Sequence, residues 1–504
     1  MSQEGSSPVP ADAPSLPQER ERRLAKVQMF AGLGQAPYGR AFARTGTLAE
    51  VRAAFEPGKV VRIAGRLMTI RNMGKSIFAD LRDGTDRFQV FASRQQMGEA
   101  PYDAFKLLDT GDHIGVEGEL MLTRTGERTV RVDKWTMLSK ALLPLPEKWH
   151  GLKDPEARYR RRYLDLVSNP EVRVRFDMRS RVVRGLREFL WDRGYTEVET
   201  PMMQPAPGGA LARPFETHYA ALNAKMYLRI APELYLKRLL VGGYDRVFEL
   251  NRNFRNEGLS KSHNPEFTML EAYEAYSDMR GMMKLVQDMI LHVARVVKPE
   301  GPLVFGEGDL SVDLSPPWRE VAYRDLIIEK MGPDWYGLDP ARARERAAAL
   351  ELDIAPGWGL PEITHEVYEK TIEKTLMSPT FVTRLPRELV PLARACEDDA
   401  SVVDVYELVI RGREISPGYS ELNDPLDQRR RFEDQVGEER HRVDEEFLAA
   451  LEQSMPPAGG MGLGVDRLVM VLSGSEAIRD VILFPQLRQK IEGAPEADAG
   501  PDEK

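Results

Sequence analysis

The segment NRNFRNEGLSKSHNPEFTMLE, residues 251–271, says most about the fold of this chain. Two runs with the alternating pattern of β-strands flank a polar loop that ends in Asn264-Pro265, so we predict a β-hairpin. An arginine fork can bind phosphate oxygens, a carboxylate can accept from an amino group, and an aromatic ring can stack on a base. The hairpin carries such groups and a histidine: Arg255, Glu257, His263 and Phe267. Taken alone, a segment of this kind is more often a charged surface hairpin that binds nothing.

The composition predicts a globular protein with a large core. The chain has 504 residues, 42% of them apolar, which suits two or three domains. It has no run of about 18 apolar residues and a polar start, so we expect no membrane span, no secretory signal and a cytoplasmic location. A single cysteine, Cys396, excludes an internal disulfide and a zinc site built from several thiolates. The net charge of −9 disfavours nonspecific nucleic-acid coating, which depends on neutralised phosphates.

Residues 57–145 have the pattern of a small closed β-barrel. Five short runs rich in β-formers are separated by turn signals such as Asp83-Gly84 and Thr125-Gly126. The runs are VVRIAGRLMTI (60–70), SIFADLRD (76–83), RFQVFAS (87–93), HIGVEGELMLTRTG (113–126) and RTVRVDKWTML (128–138). Residues 1–56 before them are expected to form a partly disordered leader with a short helix over 18–30.

Residues 146–490 are expected to form a larger α+β domain. Apolar spacing predicts an amphipathic helix over 172–191, and the strand patterns that follow, singly and in hairpins, favour a largely antiparallel sheet. The predicted strands are TEVETP (196–201), MYLRIAP (226–232), RVFELNRNFRN (246–256), EFTMLEAYEAY (266–276) and VVDVYELVI (402–410), and a helix is predicted over 464–472. The Glu/Asp/Pro/Gly-rich residues 491–504 are expected to be a disordered tail.

Two partial matches to other catalytic motifs fail on single residues. Gly74-Lys75-Ser76 resembles the end of a phosphate-binding P-loop, but Thr69 stands where the first glycine belongs. His365-Glu366 resembles the start of a zinc-protease helix, but Glu369 replaces the second histidine. Neither motif is therefore a basis for function.

The hairpin is accompanied by two further characteristic segments. The helix over 172–191 with GYTEVETPMM (194–203) precedes it, and GMGLGVDRLVMVL (460–472) follows it. In chain order, the three segments resemble motifs 1, 2 and 3 of the class II aminoacyl-tRNA synthetases. The similarity extends from about residue 59 to 488, and the subfamily most resembled is the lysyl one.

This resemblance implies an architecture and a reaction. It implies an OB-fold anticodon-binding barrel followed by a class II catalytic domain on an antiparallel sheet. The reaction would activate lysine with ATP to lysyl-adenylate and transfer it to the 3′ end of tRNA(Lys). ATP would be a substrate, Mg²⁺ the cofactor, and the motif 1 helix the interface of a homodimer.

The resemblance also implies roles in the nucleotide site. Arg255 would bind the α-phosphate and the lysine carboxylate, and Arg467 the γ-phosphate, which makes both catalytic. Charge on phosphate oxygens during displacement of pyrophosphate is stabilised by such arginines and by Mg²⁺, without a covalent enzyme intermediate. The resemblance implies that Glu257 accepts from the adenine amino group, that His263 binds the outer phosphates and that Phe267 stacks on adenine. Glu407 and Glu414 would bind Mg²⁺.

For lysine itself, the matching residues are Gly209, Glu233, Arg255, Tyr273 and Glu421. Their chemistry fits, because a desolvated ammonium needs negative charge and hydrogen-bond acceptors. An aspartyl or asparaginyl relative would need a basic residue for a side-chain carboxylate, and here two acids stand instead. Two departures from the family are Pro417, where a polar substrate-binding residue is common, and residues 380–404.

In the barrel, Arg71, Phe78, Gln89 and Glu127 match residues that bind unstacked anticodon bases. Phe78 would stack on a base, and the three polar side chains would hydrogen-bond to base edges. A strand phenylalanine is more often a core residue, which is the alternative for Phe78.

Two other functions are compatible with the same fold. One is an RNA-binding protein that has lost catalysis, which the presence of Arg255, Glu257, Arg467, Glu407 and Glu414 argues against. The other is a synthetase for asparagine or aspartate, which the acids at positions 233 and 421 argue against. A lysine-transferring relative that modifies elongation factor P lacks the N-terminal barrel, and this chain has it.

Overall fold

The computed structural model describes residues 15–146, 152–210, 212–436 and 444–488. The chain divides into two compact units, Met1–Lys153 and Asp154–Lys504. The disordered segments expected at the start of the leader (1–14) and in the tail (491–504) lie outside the described residues. None of the helices in the described ranges has the length and apolar character to cross a membrane.

The first unit is built around a closed barrel of five strands. Its elements are α1 (Leu16–Gly32), α2 (Leu48–Ala53), β1 (Val60–Asn72), β2 (Ser76–Arg82), β3 (Arg87–Ser93), α3 (Arg94–Met97), α4 (Glu99–Phe105), β4 (His113–Leu122) and β5 (Arg128–Ser139). The strand order is β1-β2-β3-β5-β4. Alternate residues such as Ile77, Ala79 and Leu81 are buried inside, as the period of a strand requires. The five-stranded barrel predicted from the sequence is therefore confirmed.

Helix α1 is longer than the predicted short helix and is fixed by buried ion pairs. Lys26 Nζ lies 2.7 Å from Asp109, and the fully buried Lys140 lies 2.7 Å from Asp109 and 2.9 Å from Asp112. An isolated helix of this length is marginal in water. These tertiary contacts explain why a strongly charged segment is helical.

The second unit contains an eight-stranded sheet with helices packed against it. The described helices are α5 (Pro155–Arg160), α6 (Arg162–Ser168), α7 (Pro170–Trp191), α8 (Glu233–Val241), α9 (Met279–Val297), α10 (Tyr323–Met331), α11 (Pro340–Ala348), α12 (Leu360–Val367), α13 (Pro425–Val436), α14 (Glu445–Glu452) and α15 (Val465–Ser473). The described strands are β6 (Thr196–Glu197), β7 (Met203–Gln204), β8 (Glu216–Tyr219), β9 (Ala224–Leu228), β10 (Arg246–Phe254), β11 (Glu266–Ala275), β12 (Val304–Phe305), β13 (Val312–Asp313), β14 (Arg319–Ala322), β15 (Thr380–Thr383), β16 (Val405–Val409), β17 (Glu414–Ser420) and β18 (Ala458–Gly464).

The large sheet has the order β14-β15-β16-β17-β18-β11-β10-β6. Two outer pairs, β14/β15 and β10/β6, are parallel, and the other neighbours among the described strands are antiparallel. Helices α7, α9 and α15 contribute Val182, Met282 and Leu468 to one buried cluster with the sheet. The predicted α+β class with an antiparallel-rich sheet is confirmed, and the motif 2 hairpin, β10 with β11, lies next to β18.

Three strands are shorter than their sequence patterns predict. TEVETP is a strand only in β6 and ends before Pro201, while MYLRIAP stops at Leu228 and Pro232 leads into α8 instead. VVDVYELVI begins at Val405 rather than at residue 402. In addition, β9 pairs with β7 and β8 in a separate three-stranded sheet.

One buried contact joins α7, β11 and α15, the elements that carry the three motifs. Arg179 is ion-paired with Asp466 at 2.5 Å and donates to Thr268 Oγ1 at 2.9 Å. Asp466 also accepts the backbone N–H of Thr268 at 2.7 Å. Its side chain is only 3% exposed, so its charge depends on these partners.

We predict that Arg179→Met lowers the unfolding free energy by about 3 kcal/mol, because it leaves the buried Asp466 carboxylate without its cation. Denaturant unfolding followed by circular dichroism measures the change. Arg184→Met is the matched control on the same helix, since Arg184 is 79% exposed. Its effect should stay within about 0.5 kcal/mol, and equal losses in both variants would contradict the prediction.

Candidate active site

The β10–β11 hairpin places a cation beside an aromatic ring. The two strands pair antiparallel along their whole length, and beyond the last pair the N–H of Arg255 donates to the carbonyl of Pro265 at 2.9 Å. The Arg255 guanidinium lies 5.1 Å from the centre of the Phe267 ring. This arrangement provides a planar donor for phosphate oxygens next to a plate for a base.

Arg467, near the start of α15, reaches both the hairpin loop and strand β17. It donates to the backbone carbonyl of Glu414 at 2.7 Å and to Nε2 of His263 at 3.2 Å. Burial, reinforced by the charge of Arg467, lowers the pKa of His263. His263 is therefore neutral at pH 7, with Nε2 as acceptor and with its proton on Nδ1, which lies 2.9 Å from Ser260 Oγ.

These groups line two adjoining cavities. The smaller, of 160 Å³, is lined among others by Arg255, Glu257, His263, Phe267, Glu414 and Arg467. The larger, of 1310 Å³, is lined among others by Gly209, Glu257, Glu407, Glu414, Pro417 and Tyr419. Glu257, Glu414 and Pro417 belong to both walls. Residues as far apart in the chain as Gly209 and Arg467 thus face one continuous cleft.

Glu407 and Glu414 lie on the adjacent strands β16 and β17. Burial raises the pKa of Glu407 well above its ordinary value, and the carboxylates of Glu414 and Glu373 raise it further. Within the described ranges, no group of three His, Cys, Asp or Glu side chains is arranged to hold a metal. Two hard carboxylates in a phosphate-binding cleft nevertheless fit Mg²⁺, which takes one or two carboxylates together with substrate phosphates.

Glu373 is a residue of this cluster that the sequence analysis missed. It follows a π-helical turn, Tyr368–Ile372, and its Oε1 accepts the backbone N–H of Glu414 at 2.7 Å. Burial and the charge of Glu414 raise the pKa of Glu373 to about 7. Nothing local in the sequence links positions 373 and 414, because their contact forms only in the folded sheet.

Three of the residues assigned to amino-acid binding lie buried behind the larger cavity. Glu233, Tyr273 and Glu421 are 5%, 3% and 1% exposed. Tyr419, on the cavity wall, donates its hydroxyl to Glu233 Oε1 at 2.6 Å and so connects the cavity with the buried acids. Tyr273 donates to Glu271 at 2.9 Å.

The structure adds three residues to this pocket that the sequence analysis did not name: Lys237, Glu271 and Tyr419. Lys237 lies between the two expected acids, 2.7 Å from Glu233 and ion-paired with Glu421. The pocket therefore contains a basic residue of its own. The only sequence signal was the four-residue spacing of Glu233 and Lys237, which is equally typical of exposed helix pairs.

Two glycines give the pocket its shape. Gly209 has φ +85°, and a Cβ there would lie 3.2 Å from the Cβ atoms of Ala231 and Glu233. A Cβ at Gly460 would lie 2.0 Å from Glu421 Oε1. Any side chain at position 460 would displace the Glu421 carboxylate.

The barrel residues assigned to base binding lie on or near its outer face. Phe78 alternates with the buried Ile77 and Ala79, so the alternative of a core phenylalanine is wrong. Arg71 pairs with Phe78 across β1 and β2, and Phe91, missed earlier, lies 4.8 Å from the Phe78 ring. Gln89 Oε1 accepts from Thr129 at 2.9 Å, and Thr129 also donates to the backbone of Glu127 at 3.2 Å.

Two protein families match the chain. Residues 61–138 match the family described as an OB-fold nucleic acid binding domain, and residues 154–488 match the tRNA synthetases class II (D, K and N). The chain belongs to the class II tRNA synthetases, which confirms the resemblance.

Within that class the chain belongs with the lysine–tRNA ligases. The lysine–tRNA ligases of Carboxydothermus hydrogenoformans and Moorella thermoacetica are each 48% identical to it, over 93% of this chain and 97% and 98% of theirs. The lysine–tRNA ligase of Bacillus subtilis is 45% identical over 93% of this chain and 97% of its own.

We predict that the unliganded protein loses stability as the pH rises from about 5 to 8. Burial is the main cause that raises the pKa of Glu271 and of Glu421 from 4.5 to about 8. Between these values the folded protein holds protons that the unfolded chain has released, so the unfolding free energy falls with rising pH. Denaturant unfolding at several pH values across this window measures the slope.

Glu421→Gln should make this decline shallower, since an amide does not titrate. Glu446→Gln is the control, because the Glu446 side chain is 80% exposed, and it should keep the slope of the unchanged protein. Stability that rises across the window would show that these carboxyls are ionised in the unliganded fold.

Proposed function

We propose that this chain is an ATP-dependent ligase that forms lysyl-adenylate and transfers lysine to the 3′ end of tRNA(Lys). The observation that carries the proposal is the set of buried acids, Glu233, Glu271 and Glu421, behind a cleft lined by Arg255 and Arg467. Membership of the class II family supports it, and so does the alignment of lysine–tRNA ligase relatives over 93% of the chain. A desolvated lysine ammonium requires such acids, and an aspartate or asparagine side chain does not.

Activation joins the lysine carboxylate to the α-phosphorus of ATP and breaks the bond to pyrophosphate. Arg255 stabilises the α-phosphate and orients the attacking carboxylate, and Arg467, held by its hydrogen bond to His263 Nε2, binds the outer phosphates. Phe267 stacks on adenine, and Glu257 accepts from its amino group. Because the charges are already positioned in a partly buried cleft, they act without reorganisation as negative charge moves to the leaving group.

We propose that Glu407 and Glu414 hold Mg²⁺ at this cleft. Bound by these two carboxylates, the ion would supply positive charge next to the phosphate oxygens. Glu373 supports the site by binding the N–H of Glu414. The mutual repulsion of these buried carboxylates is relieved when a divalent cation binds among them.

We assign anticodon binding to the barrel, residues 57–145, and catalysis to residues 146–490. Phe78 and its neighbour Phe91 offer a stacking surface, and Arg71 lies opposite Phe78. Gln89 and Glu127, which both bond to Thr129, would add hydrogen-bonding groups. Unstacked bases bind proteins through such a combination.

We also propose that the enzyme is a homodimer through α7 and acts in the cytoplasm. Val174 and Trp191 on α7 are 60% and 51% exposed, and Leu483 near the end of the described chain is 43% exposed. Exposed apolar side chains along one helix favour contact with another chain. The single unpaired cysteine, Cys396, suits a reducing compartment.

The first test is amino-acid-dependent exchange between ATP and pyrophosphate with Mg²⁺, run with each of the twenty amino acids. Exchange with lysine alone is expected. Exchange with aspartate or asparagine would show that the buried acids do not select the substrate. No exchange with any amino acid would favour an RNA-binding protein without catalysis.

Glu421→Gln should raise the KM for lysine by about 100-fold, because it removes a charge that would face the substrate ammonium. The KM for ATP should change by less than about twofold, since the phosphate-binding arginines are intact. Pyrophosphate exchange at varied lysine and ATP measures both. Glu446→Gln, at an exposed position, is the control and should leave both constants unchanged. Parallel losses for lysine and ATP would indicate general damage instead.

Phe78→Ala should lower the rate of tRNA(Lys) charging at limiting tRNA by about tenfold, because stacking of one base contributes roughly 1–3 kcal/mol. Pyrophosphate exchange should be unaffected, since the barrel takes no part in activation. Val60→Ala is the control, because Val60 is also exposed on a barrel strand, at 65%. Charging that is unchanged in Phe78→Ala would remove this residue from the anticodon site.

A further inference from the structure

Lys237 is a fully buried cation inside the proposed lysine pocket. It follows Glu233 by one turn of α8, and its Nζ lies 2.7 Å from Glu233 Oε1. The same Nζ is ion-paired with Glu421 Oε2, and both of these side chains are 0% exposed. A lysine is almost never fully buried unless it is paired. Here it is paired with the two acids that would bind the substrate.

The charged and titratable groups around this ion pair come from three elements. Strand β17 and the residue after it provide Tyr419, whose ring centre lies 5.6 Å from Lys237 Nζ, and Glu421. Strand β11 provides Glu271, which accepts from Tyr273. The cluster thus holds three carboxylates, two tyrosine hydroxyls and one ammonium: Glu233, Glu271, Glu421, Tyr273, Tyr419 and Lys237.

We propose that Lys237 is a positioning residue that sets the specificity of the pocket for one further ammonium group. It binds one oxygen of Glu233 and one of Glu421, which holds both acids in a common orientation. Oε1 of Glu421 is buried and has no hydrogen-bonding partner among the described residues. That oxygen accepts the ε-ammonium of the amino acid. This inference rests on the proposed function, because it adds a residue to the same pocket.

The free oxygen of Glu421 is held from the opposite side by strand β18. A Cβ at Gly460 would lie 2.0 Å from Glu421 Oε1 and 2.5 Å from the Tyr273 ring, so bare backbone borders the carboxylate there. Lys237 on one side and Gly460 on the other leave the carboxylate a single orientation. A fixed acceptor of this kind discriminates by the position of the ligand's ammonium as well as by its charge.

The charge of Lys237 also affects how many protons leave the pocket when the substrate ammonium binds. Two carboxylates that share a buried site repel each other, and one of them takes up a proton unless a cation lies between them. Lys237 lies between Glu233 and Glu421, and its charge lowers the pKa of Glu421 against burial, which still raises it to about 8. Without Lys237 the acids would hold more protons at neutral pH, and an incoming ammonium would displace them. Lysine binding would then depend more steeply on pH.

Lys237→Met tests this inference, because it removes the charge and keeps an unbranched side chain. Lysine binding to the full chain is measured by titration calorimetry in two buffers of different ionisation enthalpy, which yields the affinity and the number of protons released. The affinity for lysine should fall by about 100-fold. At about pH 7, more protons should be released than from the unchanged protein. Affinity for ATP should remain the same.

Lys284→Met is the matched control. Lys284 also has an acid four residues away, Asp288, but its side chain is 77% exposed. Its affinity and proton release should equal those of the unchanged protein. A Lys237→Met protein that behaves like this control overturns the inference. Absence of lysine-dependent exchange in the unchanged protein would instead overturn the proposed function.

A second variant decides the question if Lys237→Met does not fold. Lys237→Ala leaves space for a small alkylammonium ion, so propylammonium should restore lysine-dependent pyrophosphate exchange, and propanol of similar size should not. Restoration by the cation alone supports a role for the charge of Lys237. An equal response to both additives, or a response to neither, contradicts it.

Discussion

The ion pair between Arg179 and Asp466 is the contact on which the catalytic unit depends. It joins α7 to α15, and through Thr268 it joins both to the hairpin strand β11. Asp466 immediately precedes Arg467 in the chain. Because Asp466 is fixed on the core side at the start of α15, the side chain of Arg467 is directed toward the cleft. A buried ion pair contributes little net stability over an apolar contact, but breaking it leaves an unpaired charge. The value of the pair lies in orientation: it locks three elements, distant in the chain, in one register.

Around this frame the active site is a set of incomplete charge clusters. Arg255 and Arg467 point into the cleft, and Glu407 and Glu414 lie close to them with their own charge poorly offset. Burial raises the pKa of the pocket acid Glu421 despite its pairing with Lys237. Each cluster lacks the charge that one of the proposed ligands supplies: phosphate for the arginines, Mg²⁺ for the glutamates and an ammonium for the pocket. Hydrogen bonds within the fold offset the free energy of desolvating these groups and hold them in place before any ligand binds.

Much of this was accessible from the sequence, for identifiable reasons. The barrel strands have short-range periodicity, and the polar loop ending in Asn264-Pro265 between two strand-like runs predicted the β-hairpin. Phe78 could have been placed outside the barrel from the alternation of Ile77 and Ala79 alone. Other residues had no such signal. Glu373 contacts Glu414 only because a π-helical turn and a strand meet in space, and Lys237 has the same spacing from Glu233 as any surface salt bridge on a helix.

The sequence by itself determined the class of the protein, the order of its elements and the residue types of the candidate site. Those properties depend on local patterns and on motifs within a few tens of residues. The tertiary structure alone decided which charged side chains are buried and what faces them. The energy of a charge depends on its solvent exposure and on partners brought from distant segments. For that reason the lysine inside the acidic pocket could be found only in the folded chain.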